Sequence, residues 1–354
     1  MQAVLTTSTT DIGKVLRSHA LLAGIVGAYT VVAFWMSYAA EASSFGDTLG
    51  LLVIRFLSLV PQIIFVALVW RLLSLTYIER SPDRFGDIKR EITAFLKDRN
   101  RLLSGVLATF LMSLMLVSFT KLKNLIPALQ PFSWDLYFVD LDRLLHFGNL
   151  PHEVLSGIVA SPYAVGFLTG IYNIWLIMTY FVLVVACFIR PDNASRMRYL
   201  VAFVLTWAIG GNLLATIFSS AGPAYLQRLG LSDVYAPLMQ QLQTHAATAS
   251  LTVIGTQDLL WHWQTSTPRL NAISAFPSMH VASSTLMAIF AFQWSRLAGI
   301  VLTIFAAGIM IGSFVLGWHY AVDGYAGAMI ALGSWGVAGY LLRPRTTAAS
   351  VAAL

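Results

Sequence analysis

Two segments of this chain hold residue types able to do chemistry. Ser274-Ala275-Phe276-Pro277-Ser278-Met279-His280 ends in an imidazole, and Ser313-Phe314-Val315-Leu316-Gly317-Trp318-His319-Tyr320-Ala321-Val322-Asp323 holds a second imidazole with a carboxylate four residues on. Four residues apart on a helix is one face, so Asp323 can orient His319. An imidazole with one nitrogen held by a carboxylate keeps a lone pair on the other, which suits phosphoryl or acyl transfer. A second imidazole, His280, can move a proton. Each residue also has a plainer reading: Pro277 as a helix start, Ser278 as its cap, Asp323 as a first-turn carboxylate. It is their joint occurrence at the ends of apolar segments, where ionisable groups are costly, that points to a site.

The elements that must position them are membrane helices. Of 354 residues, 57% are hydrophobic and 11% charged, with mean hydropathy +0.72, whereas soluble domains carry about a quarter charged residues. Apolar windows predict eight spans near 19–40, 50–76, 102–120, 162–189, 198–219, 279–295, 297–317 and 320–342, hence an all-α integral membrane protein of about eight transmembrane helices. A cleaved leader ending near Ala40-Glu41-Ala42 is the alternative reading of the first span. Residues 1–101 form a two-helix extension with a basic loop, 102–345 a six-helix core with long loops at 121–161 and 220–278, and 346–354 a short tail. The net charge of +6 comes from a few loops and reads as a topology signal, not as affinity for nucleic acid. Lys14, Arg17, the basic run from Arg80 to Arg101, Arg190, Arg196, Arg198, Arg296, Arg343 and Arg345 fall on one side of eight alternating spans. Both termini are therefore expected in the cytoplasm, and His280, His319 and Asp323 on the opposite face. The lone Cys187 allows no intrachain disulfide.

The segment from Trp134 to His146 mixes apolar and acidic residues at helical spacing and predicts an interfacial helix. Its Asp135 and Asp142 fit no metal-ligand spacing and read as solvated or cap-forming carboxylates. Arg55 reads as snorkelling to headgroups, and Trp318 and Tyr320 as walls of a pocket around His319.

Pro277-Ser278-x-His280 and Ser313-x5-His319-x3-Asp323 resemble the motifs of the type 2 phosphatidic acid phosphatase superfamily, the integral-membrane lipid phosphatases and phosphotransferases with a six-helix core. The resemblance implies His319 as nucleophile forming a phosphohistidine, Asp323 as its orienter, and His280 as general acid and then base. It further implies phosphoryl contacts around Ser278, Met279 and Ser313, and neither metal nor cofactor. The chain departs from the pattern at three places: Met279 replaces the family's glycine, Phe314 replaces the Arg of Ser-Arg-x5-His-x3-Asp, and no Lys-x6-Arg-Pro occurs. A monoester carries nearly two charges and a diester one, so a site short of cations favours the diester. The reduced pattern is similar to the inositol phosphorylceramide synthase-like branch, with Ala221-Gly222-Pro223-Ala224-Tyr225, Trp134-Asp135 and Leu141-Asp142-Arg143 as further similarities. It implies headgroup transfer from a phospholipid or other lipid phosphoester to a ceramide-like or other lipid alcohol, with membrane lipids as surroundings. Arg269, Arg228 and Tyr225 are candidate substrate contacts. Alternatives are a lipid phosphate or polyprenyl diphosphate phosphatase, and a non-enzymatic transporter or scaffold.

Overall fold

The computed structural model describes residues 12–40, 50, 61–62, 64–249, 252–266 and 273–343. Among them no residue is in a strand. In chain order the described helices of more than four residues are α1 (Ile12–Ala39), α2 (Ile64–Ile78), α3 (Arg84–Lys97), α4 (Arg99–Leu129), α5 (Asp135–Leu145), α6 (Pro162–Phe188), α7 (Ala194–Ile217), α8 (Ala236–Ala249), α9 (Thr252–Ser266), α10 (Met279–Phe292), α11 (Arg296–Val315) and α12 (Ala321–Leu341). Their starts carry side-chain caps: Asp98 for α4, Ser161 before Pro162 for α6, Asn193 for α7, Ser278 for α10 and Ser295 for α11 each accept a backbone N–H of the first turn.

Five described helices, α1, α4, α6, α7 and α11, are long and apolar enough to cross a bilayer. The expectation of about eight spans is therefore met by five on length and composition among the described residues. The predicted span at 50–76 lies partly outside the described residues; what is described is α2. α12 has a crossing's length, 21 residues, but its five glycines and Asp323 lower its hydropathy. α10 has only 14 residues, about 21 Å at 1.5 Å each, against a ~30 Å hydrocarbon core. It is buried on nearly every side, through Val281, Ala282, Ser283, Ser284, Leu286, Met287, Ala288, Phe290 and Ala291, and packs on α11 and α12. Small side chains permit that close approach. At Gly327 a Cβ would lie 2.5 Å from the Ser278 carbonyl oxygen, so α12 crosses α10 there in backbone contact.

Two further differences concern the segments read as loops. α4 continues past Lys121 and Lys123 to Leu129, because Leu122, Leu125 and Ile126 extend its buried apolar stripe. The stretch 220–278 contains α8 and α9. Within α7, residues Thr206–Leu214 widen into π-type turns, and Gly210 and Gly211 there make room: a Cβ on Gly211 would lie 2.6 Å from the Phe119 ring and 3.3 Å from Met279. Met279, the residue at the family's glycine position, packs into this notch.

Candidate active site

The start of α10, the end of α11 and the start of α12 meet at one end of the bundle. Trp318 N–H and His319 N–H both donate to the Ser313 carbonyl at 3.0 Å, which turns the chain sharply from α11 towards α12. Gly317 enters that turn with φ 72°, in the left-handed region that glycine tolerates. Ser278 N–H donates to the Asp323 carbonyl at 2.9 Å, pinning the two helix starts together.

His319 is 6% exposed. Its Nδ1 faces two acceptors, the Ala275 carbonyl at 2.8 Å and Asp323 Oδ2 at 3.3 Å, so the proton sits on Nδ1 and the lone pair on Nε2. Asp323 Oδ2 also accepts Tyr320 N–H at 3.1 Å. The His280 and His319 rings are 5.8 Å apart, centre to centre, at 63°. Rings this close can both reach one phosphoryl group, one nitrogen facing phosphorus and the other the leaving oxygen. Met279 and His280 occupy the first positions of α10, where backbone N–H groups lack intrahelical acceptors; anions bind such ends.

The structure brings His280, His319, Asp323, Ser278, Met279 and Ser313 together, and both serine side chains are spent on backbone contacts, Ser278 in the capping role that the sequence also allowed. Ser278 Oγ accepts Val281 N–H at 3.4 Å as the cap of α10, and its own N–H is taken by Asp323. Ser313 Oγ–H donates to Met310 O at 2.7 Å. Both build the turns that present the histidines. Tyr225 is not brought to the imidazoles: its hydroxyl donates to Gln257 O at 3.3 Å and its ring stacks on Trp261 at 5.6 Å. Arg228 is paired with Asp258. Arg269 lies outside the described residues. Tyr320 is buried, and its hydroxyl donates to Asp135 Oδ1 at 2.8 Å.

Sequence reasoning missed the roles of three sets of residues. Asp135 and Asp142, read as solvated or capping, are 1% and 0% exposed; capping is right for Asp142, and solvation is wrong for both. Asp135 accepts Ala221 N–H at 3.0 Å and Gly222 N–H at 2.8 Å besides the Tyr320 hydroxyl. Asp142 accepts Ala321 N–H at 2.8 Å and Val322 N–H at 3.0 Å, the opening turn of α12. Two carboxylates seven residues apart on α5 thus fasten both loops beside His319, and this spacing on one helix face was the available signal. Burial raises both carboxyls above their ordinary range, Asp142 to about 6. The second set is Lys123. It stands one turn beyond Phe119 on α4, its charge acts on both His280 and His319, and among the described residues no carboxylate pairs with it. The signal was Lys123-x6-Gln130-Pro131, the sought Lys-x6-Arg-Pro with Gln for Arg. The third set is Tyr172 and Trp175, whose rings lie against His280.

Among the described residues no three His, Cys, Asp or Glu side chains are grouped to hold a metal ion. Lys14, Asn100 and Arg190 line one cavity with Asp98 and Asp192 at the start of α4 and the end of α6, the far end of those helices from the histidines.

No curated protein and no solved structure matches the chain. A family model described as PAP2 superfamily matches residues 136–337, from α5 through most of α12, including both imidazoles and Asp323. That stretch is more than half of the chain, and the chain belongs to the PAP2 superfamily.

Proposed function

We propose that this protein transfers a phosphoryl-containing headgroup between lipids through a phosphohistidine on His319, without a metal. The observation that carries the reading is the pair of imidazoles 5.8 Å apart, one with Nδ1 held by two acceptors and Nε2 unencumbered. His319 Nε2 attacks phosphorus, the phosphorus–oxygen bond to the leaving group breaks, and His280 gives its proton to the departing alkoxide. An acceptor hydroxyl then loses its proton to His280 and attacks phosphorus; the nitrogen–phosphorus bond breaks and its electron pair returns to Nε2. Asp323 balances the charge His319 acquires. The N–H groups of Met279 and His280 and the Lys123 ammonium hold the phosphoryl oxygens.

The cation count supports a diester donor and transfer over monoester hydrolysis. Lys123 is present, while Phe314 and Gln130 stand where the motifs carry Arg. A singly charged diester needs less neutralisation than a monoester. An inositol phosphorylceramide synthase-like reaction, with a ceramide-like or other lipid alcohol as acceptor, fits that balance. The loop charges and the cavity lined by Lys14 and Arg190, at the opposite end from the histidines, support cytoplasmic termini and chemistry at the other face.

The test is headgroup-resolved lipid mass spectrometry on purified protein in mixed-lipid vesicles, beside His280→Ala, His319→Ala and Asp323→Ala. New lipid products and an acid-labile phosphoprotein in the wild type, both absent from His319→Ala, are expected. Free phosphate released at a rate indifferent to any lipid alcohol would make the protein a phosphatase. No turnover and no phosphoprotein in the wild type would refute the enzyme reading.

A further inference from the structure

His280 reaches the site from α10, but its ring is held by a different helix. Tyr172 and Trp175 stand three residues apart on α6, about one turn, so both face the same way. The Tyr172 ring lies 4.4 Å from the imidazole at 22°, and the Trp175 ring 3.9 Å from it at 37°. The two aromatic rings are themselves fixed. Trp175 Nε1–H donates to Ser283 Oγ at 2.8 Å, and Ser283, three residues beyond His280 on α10, donates in turn to Met279 O at 2.7 Å. Tyr172 runs parallel to Trp318, the neighbour of His319, at 6.2 Å and 4°. Tyr172 and Trp175 are 8% and 9% exposed.

The contrast with His319 makes this arrangement informative. The His319 ring is oriented by hydrogen bonds at Nδ1. The contacts of the His280 ring among the described residues are with the rings of Tyr172, Trp175 and His319. A proton donor to a leaving oxygen must keep one nitrogen free of protein partners and still point in one direction. Stacking achieves that, since it fixes the ring plane and leaves the edge open. Precision has a large effect on rate, because a displacement of about 1 Å costs on the order of 10²-fold.

We propose that Tyr172 and Trp175 are positioning residues for His280: their two faces, braced by the Trp175–Ser283 hydrogen bond, aim the imidazole edge at the oxygen that leaves phosphorus. The inference rests on the proposed role of His280 as proton donor. When the phosphorus–oxygen bond breaks, its electron pair goes to that oxygen, which takes the proton from His280. An alkoxide needs this proton, whereas p-nitrophenolate departs without it. The clamp therefore matters for one leaving group and not for the other, a pattern that a merely structural role does not produce.

The experiment compares two phosphodiesters with the same phosphoryl headgroup, one releasing a lipid alcohol (an alkyl leaving group) and one releasing p-nitrophenol. They are assayed on the full-length wild type and on His280→Ala, Trp175→Leu, Tyr172→Leu and Ser283→Ala. The readout is the ratio of the two rates, which is independent of the fraction of protein that is folded. General acid catalysis supplies about 10²–10⁴-fold, so His280→Ala should lower the alkyl-to-p-nitrophenyl ratio by about that factor, and Trp175→Leu and Tyr172→Leu by roughly 10-fold or more. Ser283→Ala, which keeps every ring and removes only the brace, should lower it by less. If His280→Ala lowers the ratio while the clamp variants leave it at the wild-type value, the positioning proposal is overturned and the acid role of His280 stands. If His280→Ala itself leaves the ratio unchanged, the proton-donor reading and this proposal both fall.

Discussion

Replacing Lys123 by Met isolates the contribution of one cation to substrate charge selection. Lys123 follows Phe119 by one turn of α4, and Phe119 packs on Trp207 with ring centres 4.7 Å apart. Its charge reaches both imidazoles. With no carboxylate partner among the described residues, its natural counter-ion is the phosphoryl group of a bound substrate. A hydrogen bond to a charged group contributes about 1.5–3 kcal/mol, and each 1.4 kcal/mol is a factor of ten, so kcat/KM should fall by roughly 10- to 150-fold. Met keeps the length of the side chain and its helix propensity, and removing a half-buried cation relieves a desolvation cost, so thermal stability should stay level or rise. The assay measures kcat/KM for a lipid phosphodiester and its matching monoester in detergent micelles, with the melting temperature as control. The loss should be larger for the monoester, whose phosphoryl group bears nearly twice the charge, and Lys123→Arg should recover part of it. A loss under about threefold, equal for both substrates, would refute the assignment, because a direct contact with phosphate cannot be worth so little.

The parts of this site that were legible in the sequence are those whose partners lie close by in the chain. Asp323, in the first turn of α12, reaches back four residues to His319 in the preceding turn, and Ser278 caps the helix that it begins; the proximity is written in spacing, although His319 itself lies outside the helix. The apolar windows likewise located α1, α4, α6, α7 and α11. What escaped depended on partners without a sequence signature. Asp135 and Asp142 bind backbone N–H groups more than eighty residues away, and any residue type supplies a backbone N–H. Tyr172 and Trp175 were two among the chain's many aromatic residues until α6 packed against α10. The short reach of α10 was hidden for the same reason: a continuous apolar run reads alike whether lipid or protein surrounds it. Lys123 was hidden by a rule that counts lysines as loop markers, whereas a lysine near a helix end can remain helical and extend its charged tip towards polar surroundings.

Three further outcomes follow from the contacts around His319. Burial lifts the Asp142 carboxyl from an ordinary 3.8 to about 6, so ionising it costs the folded state stability as pH rises from about 4 to 6; thermal unfolding in detergent should show that slope in the wild type and a flatter one in Asp142→Asn. On α12, Gly327→Ala sets a Cβ 2.5 Å from Ser278 O and should destabilise by about 1–3 kcal/mol, whereas Gly333→Ala meets open space and should stabilise by up to about 1 kcal/mol; equal melting temperatures would contradict the close crossing. Asp323→Asn is the sharpest case, because His319 Nδ1–H has a shorter bond to the Ala275 carbonyl, 2.8 Å, than to Asp323, 3.3 Å. Where a carboxylate alone fixes a catalytic imidazole, its amide replacement costs about 10⁴-fold through the wrong tautomer; here the carbonyl keeps the proton on Nδ1 and only the charge balance is lost. The expected fall in phosphoenzyme formation is therefore about 10- to 100-fold, and a 10⁴-fold fall in a variant of unchanged melting temperature would show that Asp323, not Ala275, holds the tautomer.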